Sequence, residues 1–130
     1  HGANLEPLRA EAVRGERIRS WWDFDRVNGF RAEHYGDWEG MHATPAEIAI
    51  TQAVGRVITH PTADDPPEAL SAAFIAAHAG DRHGPAAEHR AQFPDGRVGS
   101  HSALATPKDG AALIEIAVAE IAADYRVFVG

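Results

Sequence analysis

Residues 44–47 of the chain read Thr-Pro-Ala-Glu, which is the pattern of a well-formed helix start. Thr44 can cap the helix, Pro45 suits its first turn, and Glu47 can complete a capping box with Thr44. The apolar residues that follow recur with helical spacing: Ile50, Val54, Val57 and Ile58. The pattern predicts an amphipathic helix from about residue 45 to residue 58, with one face against a core.

A second helix start of the same design occurs near the C-terminus, at Thr106, Pro107 and Asp109. An amphipathic run follows it: Leu113, Ile116, Ala117, Val118 and Ile121. We therefore expect a second helix that packs by one face. No other part of the chain is periodic, so the two starts are the same local chemistry and not an internal repeat.

Shorter segments complete the predicted organisation. We expect a helix over residues 4–14, a strand over 16–22, a polar loop over 23–41 with one helical turn around Phe30, a short helix over 71–79 and a long excursion over 80–103. These elements contain too few strands for a complete sheet. The order therefore predicts that residues 1–130 are part of an α/β layer structure whose other strands are elsewhere.

Composition restricts the classes of protein to which the chain can belong. Its 130 residues suit one domain, and its net charge of −7 with dispersed basic residues disfavours nucleic-acid binding. The absence of cysteine excludes disulfides and thiolate metal sites. No apolar run approaches the ~20 residues of a membrane span. We expect a cytoplasmic protein. The chain begins at His1 and its only methionine is Met41, which suggests a cut inside a larger protein.

The residues just before the first helix start are the main candidates for chemistry. His42 lies two residues before the cap and can give or take a proton near neutral pH. Trp38, four residues earlier, can cover a small substrate. The alternatives are that His42 only hydrogen-bonds to its own loop and that Glu47 only completes the capping box.

Two other groups of residues are candidates with strong alternatives. Trp21 and Trp22 could form an aromatic wall, but tryptophans also serve as core anchors, and on a strand at most one of the pair can face a pocket. His1 and Asn4, in the segment HGAN, could bind a metal or a substrate, or be a frayed terminus. The later histidines fit no zinc spacing, and we interpret them as solvated or interfacial: His78, His83, His89 and His101.

Four segments in the same order resemble the C-terminal half of the creatininase family of amidohydrolases. They are HGAN, RIRSWWDF, EGMHATPAEIAITQ and FPDGRVGSHSALAT, of which the third is the most specific. The resemblance implies a three-layer α/β/α sandwich with a mainly parallel central sheet, usually assembled as a homo-oligomeric hexamer. It also implies hydrolysis of a non-peptide C–N bond of a small molecule, such as a cyclic amide or formamide.

The resemblance also implies roles for individual residues. His1 matches a metal-binding histidine, His42 the histidine that moves a proton to the leaving nitrogen, Glu47 the carboxylate of the same motif, and Trp38 an aromatic that covers the substrate. Trp21 or Trp22 matches a second covering aromatic, and Asn4 is a further candidate for substrate binding. A divalent zinc, manganese or iron ion would activate the water.

Two departures from the family pattern qualify these expectations. Ala3 occupies a position at which creatininase itself has an acidic metal ligand, which argues against creatinine as the substrate. The other metal ligands, a Glu-x-His pair and an Asp, belong to the N-terminal half of the family domain. We therefore expect catalysis only together with that half. The alternative is a non-catalytic, metal-free remnant of the fold that serves in assembly.

Overall fold

A computed structural model describes residues 2–12, 15–57, 65–79, 82 and 84–130, with side chains from residue 5 onward. Six α-helices occur in these ranges: α1 (Gly2–Glu11), α2 (Asp25–Tyr35), α3 (Pro45–Val54), α4 (Ala72–His78), α5 (Ala86–Gln92) and α6 (Pro107–Val129). Three short 3₁₀ turns accompany them, at Trp21–Asp23, Gly36–Trp38 and Ser102–Leu104. None of the described helices is long and apolar enough to cross a membrane.

The predicted α/β class is wrong, because the described residues form helices and no sheet. Their single β-type contact is an isolated antiparallel bridge between His42 and Val98. The expected three-layer α/β/α sandwich with a parallel sheet is therefore also not found. The strand predicted over residues 16–22 is replaced by irregular chain and the Trp21–Asp23 turn.

Local hydrogen bonds explain why residues 16–22 do not continue as a strand. The Ser20 N–H donates to the Asp23 carboxylate at 2.8 Å, and the Asp23 N–H donates to the Ser20 carbonyl at 3.1 Å. Arg9 of α1 forms an ion pair with the same carboxylate. A side chain that bonds its own backbone competes with strand pairing, and here it turns the chain.

Helix α2 is the second difference from the predicted organisation, because residues 23–41 were expected to be mostly loop. Only Val27 and Tyr35 of this 11-residue helix are buried, at 0% and 4% exposure. Two buried positions eight residues apart give a weak periodic signal in a polar sequence. The helix forms because these two side chains join the core built by α3 and α6.

Both predicted helix starts and the helices after them are largely confirmed, and the first start forms a full capping box. The Glu47 N–H donates to Thr44 Oγ1 at 3.1 Å, and the Thr44 N–H donates to a Glu47 carboxylate oxygen at 3.3 Å. The Asp109 N–H donates to Thr106 Oγ1 at 3.0 Å. Helix α3 ends at Val54, four residues earlier than predicted, because Gly55 caps it through the Thr51 carbonyl.

The core lies where α3 crosses α6, and it is built from small residues. Ala46 and Ala49 of α3 are fully buried, as is Leu113 of α6. Gly110 of α6 lies directly against the backbone of Ala49, so the two helices meet with almost no side chain between them. Such a close crossing requires residues without bulk on both helices.

The remaining predicted helices are found with shifted ends. Helix α1 begins two residues before the predicted start at residue 4 and ends at Glu11. Helix α4 occupies the middle of the predicted 71–79 segment, capped by the Ser71 hydroxyl, which accepts from the Phe74 N–H at 3.1 Å. The long excursion over 80–103 contains α5, seven residues that were not predicted to be helical.

Candidate functional site

The candidate site is built from two chain segments that lie side by side. We call residues 38–43, which precede α3, the His42 loop, and residues 98–102, which precede α6, the facing segment. The Met41 N–H donates to the Val98 carbonyl at 2.8 Å, and the Val98 N–H donates to the His42 carbonyl at 3.4 Å. These bonds place His42 beside the facing segment, immediately before the N-terminus of α3.

Two further hydrogen bonds join the His42 loop to the facing segment. The His101 N–H donates to the Trp38 carbonyl at 2.9 Å, and the Ser102 hydroxyl donates to the Ala43 carbonyl at 2.6 Å. The Trp38 and His101 rings meet edge to face with centroids 6.1 Å apart. Trp38 therefore lies in the His42 loop with His101 as its neighbour, and its role in covering a substrate stays a prediction.

Gly40 is needed for the close approach of the two segments. It has a φ of +63°, and a β-carbon there would lie 2.5 Å from both the Val98 carbonyl oxygen and the Ser100 nitrogen. A glycine accepts this conformation and leaves space for the neighbouring backbone. The glycine before Met41 therefore has a structural role that sequence analysis did not assign to it.

The surroundings of His42 include a histidine that the sequence did not assign to the site. The His42 and His89 rings lie with centroids 6.3 Å apart, close to perpendicular, and both residues are half-buried. His101 is also half-buried, and its Nδ1 is buried without a hydrogen-bond partner in the described part of the chain. His89 and His101, which the sequence analysis interprets as solvated or interfacial, thus also make ring contacts within the chain. His83 lies outside the described residues.

Glu47 performs the structural role that the sequence predicted for it. Its carboxylate accepts a hydrogen bond from the Thr44 N–H, and Glu47 is an exposed residue in the first turn of α3. Capping and catalysis are compatible roles for one carboxylate. A catalytic role for Glu47 stays a prediction.

Trp21 and Trp22 do not point to opposite faces of a strand, because they lie in a 3₁₀ turn. Their rings pack edge to face with centroids 5.6 Å apart. Trp21 also packs against the core, which agrees with the alternative role of a core anchor. The Trp22 carbonyl accepts from the Asn28 side-chain amide at 3.0 Å, so the turn is attached to α2.

The one residue predicted to bind a metal ion lies outside the described residues. His1 is not described, and neither is the side chain of Asn4. Among the residues whose side chains are described, no group of three His, Cys, Asp or Glu is placed to hold a metal ion. A catalytic metal needs about three protein ligands, so these residues do not fit one by themselves.

A buried ion pair that the sequence did not indicate, between Glu39 and Arg31, lies beside the site. The Glu39 carboxylate accepts from Arg31 Nε at 2.7 Å, and the Glu39 side chain is only 12% exposed. Burial raises the pKa of the Glu39 carboxyl above its usual value, although Arg31 and the start of α3 partly offset this effect. Spacing along the sequence gave no sign of this ion pair, because Arg31 lies on α2 and Glu39 lies in the loop after it, where helical spacing no longer applies.

A buried tyrosine lies near Glu39. Burial raises the pKa of the Tyr35 hydroxyl above its usual value, and the nearby Asp109 and Glu39 carboxylates raise it further. The hydroxyl has no hydrogen-bond partner within the described part of the chain. The Tyr35 side chain therefore stays neutral, and its ring belongs to the core.

A cavity of about 440 Å³ lies between the start of α4 and residues 92–99. Its walls include Leu70, Phe74, Phe93 and Arg97, and none of the residues predicted for the site lines it. The centroid of the Phe93 ring lies 5.2 Å from that of His89, whose ring is in turn 6.3 Å from that of His42. Its size is within the range of small-molecule pockets.

Comparison with known proteins adds no relative to this description. No family model matches the chain, and no curated protein gives a significant match to it.

Proposed function

We propose that the chain is the C-terminal portion of a creatininase-like, metal-dependent amidohydrolase that hydrolyses a non-peptide C–N bond of a small molecule. The observation that supports this is the pairing of the His42 loop with the facing segment through four hydrogen bonds. These two stretches belong to separate segments of the sequence resemblance, about fifty residues apart along the chain. A chance likeness gives no reason for them to meet.

The all-helical arrangement of the described residues does not decide the reaction, because function resides in the side chains of a site and not in the fold class. His42 is a half-buried imidazole held by its own backbone bridge to Val98. A group in that position can deliver a proton with the same geometry in every turnover.

In the proposed reaction, water adds to the amide carbonyl carbon and gives a proton to His42, the C–N bond breaks, and His42 passes that proton to the leaving nitrogen. Trp38 would cover the substrate and exclude bulk water. The metal implied by the resemblance would need His1 and ligands from the N-terminal half.

The test begins with intact-mass spectrometry and metal analysis of the isolated protein, followed by assays of amine release from a panel of cyclic amides and formamides. We expect to find the N-terminal half, either as a second polypeptide or joined to this chain in a longer one. We also expect stoichiometric zinc, manganese or iron, and release of amine from at least one substrate. A chelator should abolish release, and the metal should restore it. A sample that contains both halves but binds no metal and releases no amine would contradict the proposal.

A second candidate function is assembly without catalysis, and a row of exposed side chains on α6 favours it. Val118, Ile121, Tyr125 and Phe128 are 59%, 44%, 62% and 37% exposed. Their alternating spacing of three, four and three residues is that of a coiled-coil seam. In an antiparallel pair of identical helices, Val118 of one copy would meet Phe128 of the other and Ile121 would meet Tyr125, so the row can pair with itself and we take a second copy of the chain as the partner.

Light scattering over a range of protein concentrations tests this candidate. We expect a dimer or larger assembly for the unmodified chain, and a dissociation constant at least about tenfold higher for Tyr125→Glu, because a buried unpaired charge is costly. The control is Val127→Glu, which places the same charge at a 78% exposed position off the row. A monomer at every concentration, or equal dissociation by both variants, would exclude this seam as the interface.

A further inference from the structure

Arg31 of α2 connects three parts of the molecule through one side chain. Its Nε donates to the Glu39 carboxylate at 2.7 Å, and its Nη1 donates to Asn28 Oδ1 at 2.8 Å. Its guanidinium carbon lies 5.5 Å from the centroid of the Trp21 ring. The Arg31 side chain is 23% exposed, so most of this arrangement is shielded from water.

The Arg31 contact with Glu39 reaches the His42 loop. Glu39 follows Trp38 directly and precedes His42 by three residues. On its other side, the same loop is held by two backbone hydrogen bonds: the Met41 N–H donates to the Val98 carbonyl, and the His42 carbonyl accepts from the Val98 N–H. The loop is thus held between the facing segment and α2, and the contact with α2 is made by the Arg31–Glu39 ion pair.

Because Glu39 is buried, its contact with Arg31 requires good geometry. A carboxylate that is 12% exposed needs a charged partner with good geometry, because burial alone disfavours its ionised form. The planar guanidinium can bond to Glu39 and Asn28 at its edge while Trp21 lies near its face. A lysine at this position would carry the same charge but could not make all three contacts together.

We propose that Arg31 is a positioning residue for the His42 site: through Glu39 it fixes the loop that carries Trp38 and His42 on α2. The catalytic consequence rests on the proposed function, whereas the effect on the loop does not. Arg31 is not expected to touch the substrate, so its loss should act through the loop, lowering kcat through the displaced His42 and raising KM through the displaced Trp38.

The test compares Arg31→Lys with Arg26→Lys in the full chain. Arg26 is an exposed arginine on the same helix, so the control makes the same substitution without the three contacts. The readouts are the NMR signals of the His42 imidazole and the Trp38 indole, the pH titration of His42, and the kinetics of amide hydrolysis. We expect Arg31→Lys to move both NMR signals and lower kcat by roughly 10- to 100-fold, and Arg26→Lys to do neither.

Glu39→Ala provides the second variant if Arg31→Lys does not fold, as judged by far-UV circular dichroism. It removes the buried charge itself, and leaves an arginine that can reach water. We expect it to move the same His42 and Trp38 signals. If the unmodified protein hydrolyses nothing, the proposed function fails, but these signals still decide the role of Arg31. Signals at the wild-type positions in the folded variant, or the same shift in Arg26→Lys, would overturn the inference.

Discussion

Replacing Gly110 with alanine should lower the free energy of unfolding by about 3 kcal/mol. A β-carbon at this position would overlap the carbonyl carbon and oxygen of Ala49 and lie 2.8 Å from the Ile50 nitrogen. These are backbone atoms of α3, so no side-chain rotation can relieve the overlap. The two helices would have to separate, and the core between them would lose contacts. Denaturation with urea, followed by circular dichroism, measures the effect.

Gly29→Ala is the matched control for this prediction. Gly29 lies inside α2, and a β-carbon there would have no neighbour within 4 Å. Alanine is the better helix former by roughly 0.5–1 kcal/mol, so this variant should be slightly more stable than the unmodified chain. The same chemical change should therefore act in opposite directions at the two positions. A Gly110→Ala protein as stable as the unmodified one would mean that α3 and α6 do not approach as closely as described.

Replacing His42 with alanine should lower the rate of amide hydrolysis by ~10²–10⁴-fold, which is the usual contribution of a positioned acid or base. His42 precedes the N-terminus of α3 and is bridged to Val98 through its backbone, which alanine can also bridge. The loop should therefore keep its shape, and the metal content of the complete protein should not change. Steady-state kinetics on the complete protein, with metal analysis of each variant, measures both.

His34→Ala is the control for the loss of one histidine. His34 is exposed on α2, where its ring stacks on Phe30 and its Nδ1 lies 3.0 Å from the Phe30 carbonyl oxygen. Its removal should leave turnover unchanged. Added imidazole should restore part of the activity of His42→Ala if the missing group is a proton donor. Full turnover in His42→Ala would remove His42 from the mechanism.

The two helix starts were predictable because a capping box is closed within four residues. Thr44 and Glu47 bond to each other's backbone N–H groups, and Thr106 accepts from the Asp109 N–H. No distant partner is needed for these bonds, so the residue types and their spacing are sufficient. The same reasoning predicted too long a helix after Pro45. Val54 and Val57 continue the apolar spacing, but they are 75% and 54% exposed.

The sheet was wrongly predicted because the strand pattern at residues 16–22 depended on a partner. A short apolar and aromatic run fits a strand only if another strand lies beside it. Here Ser20 and Asp23 bond to each other locally, and Arg9 pairs with Asp23. Helix α2 was missed for the related reason that its two buried residues gain their stability from other helices and not from its own sequence.

The sequence likewise indicated only part of the candidate site. Sequence and resemblance singled out His42 and Trp38, which lie in the loop beside the facing segment. They did not find His101, whose N–H bonds to the Trp38 carbonyl, or the Arg31–Glu39 ion pair. Each of these contacts joins residues whose separation along the chain carries no periodic signal.

The sequence by itself determined where α3 and α6 begin, because caps and proline act within one turn of the chain. Tertiary structure alone decided what lies against those helix starts. The meeting of the His42 loop with the facing segment depends on α3 crossing α6 at Gly110 and on the space left by Gly40. Such contacts follow from the packing of distant backbones, in which the absence of a side chain matters as much as its presence.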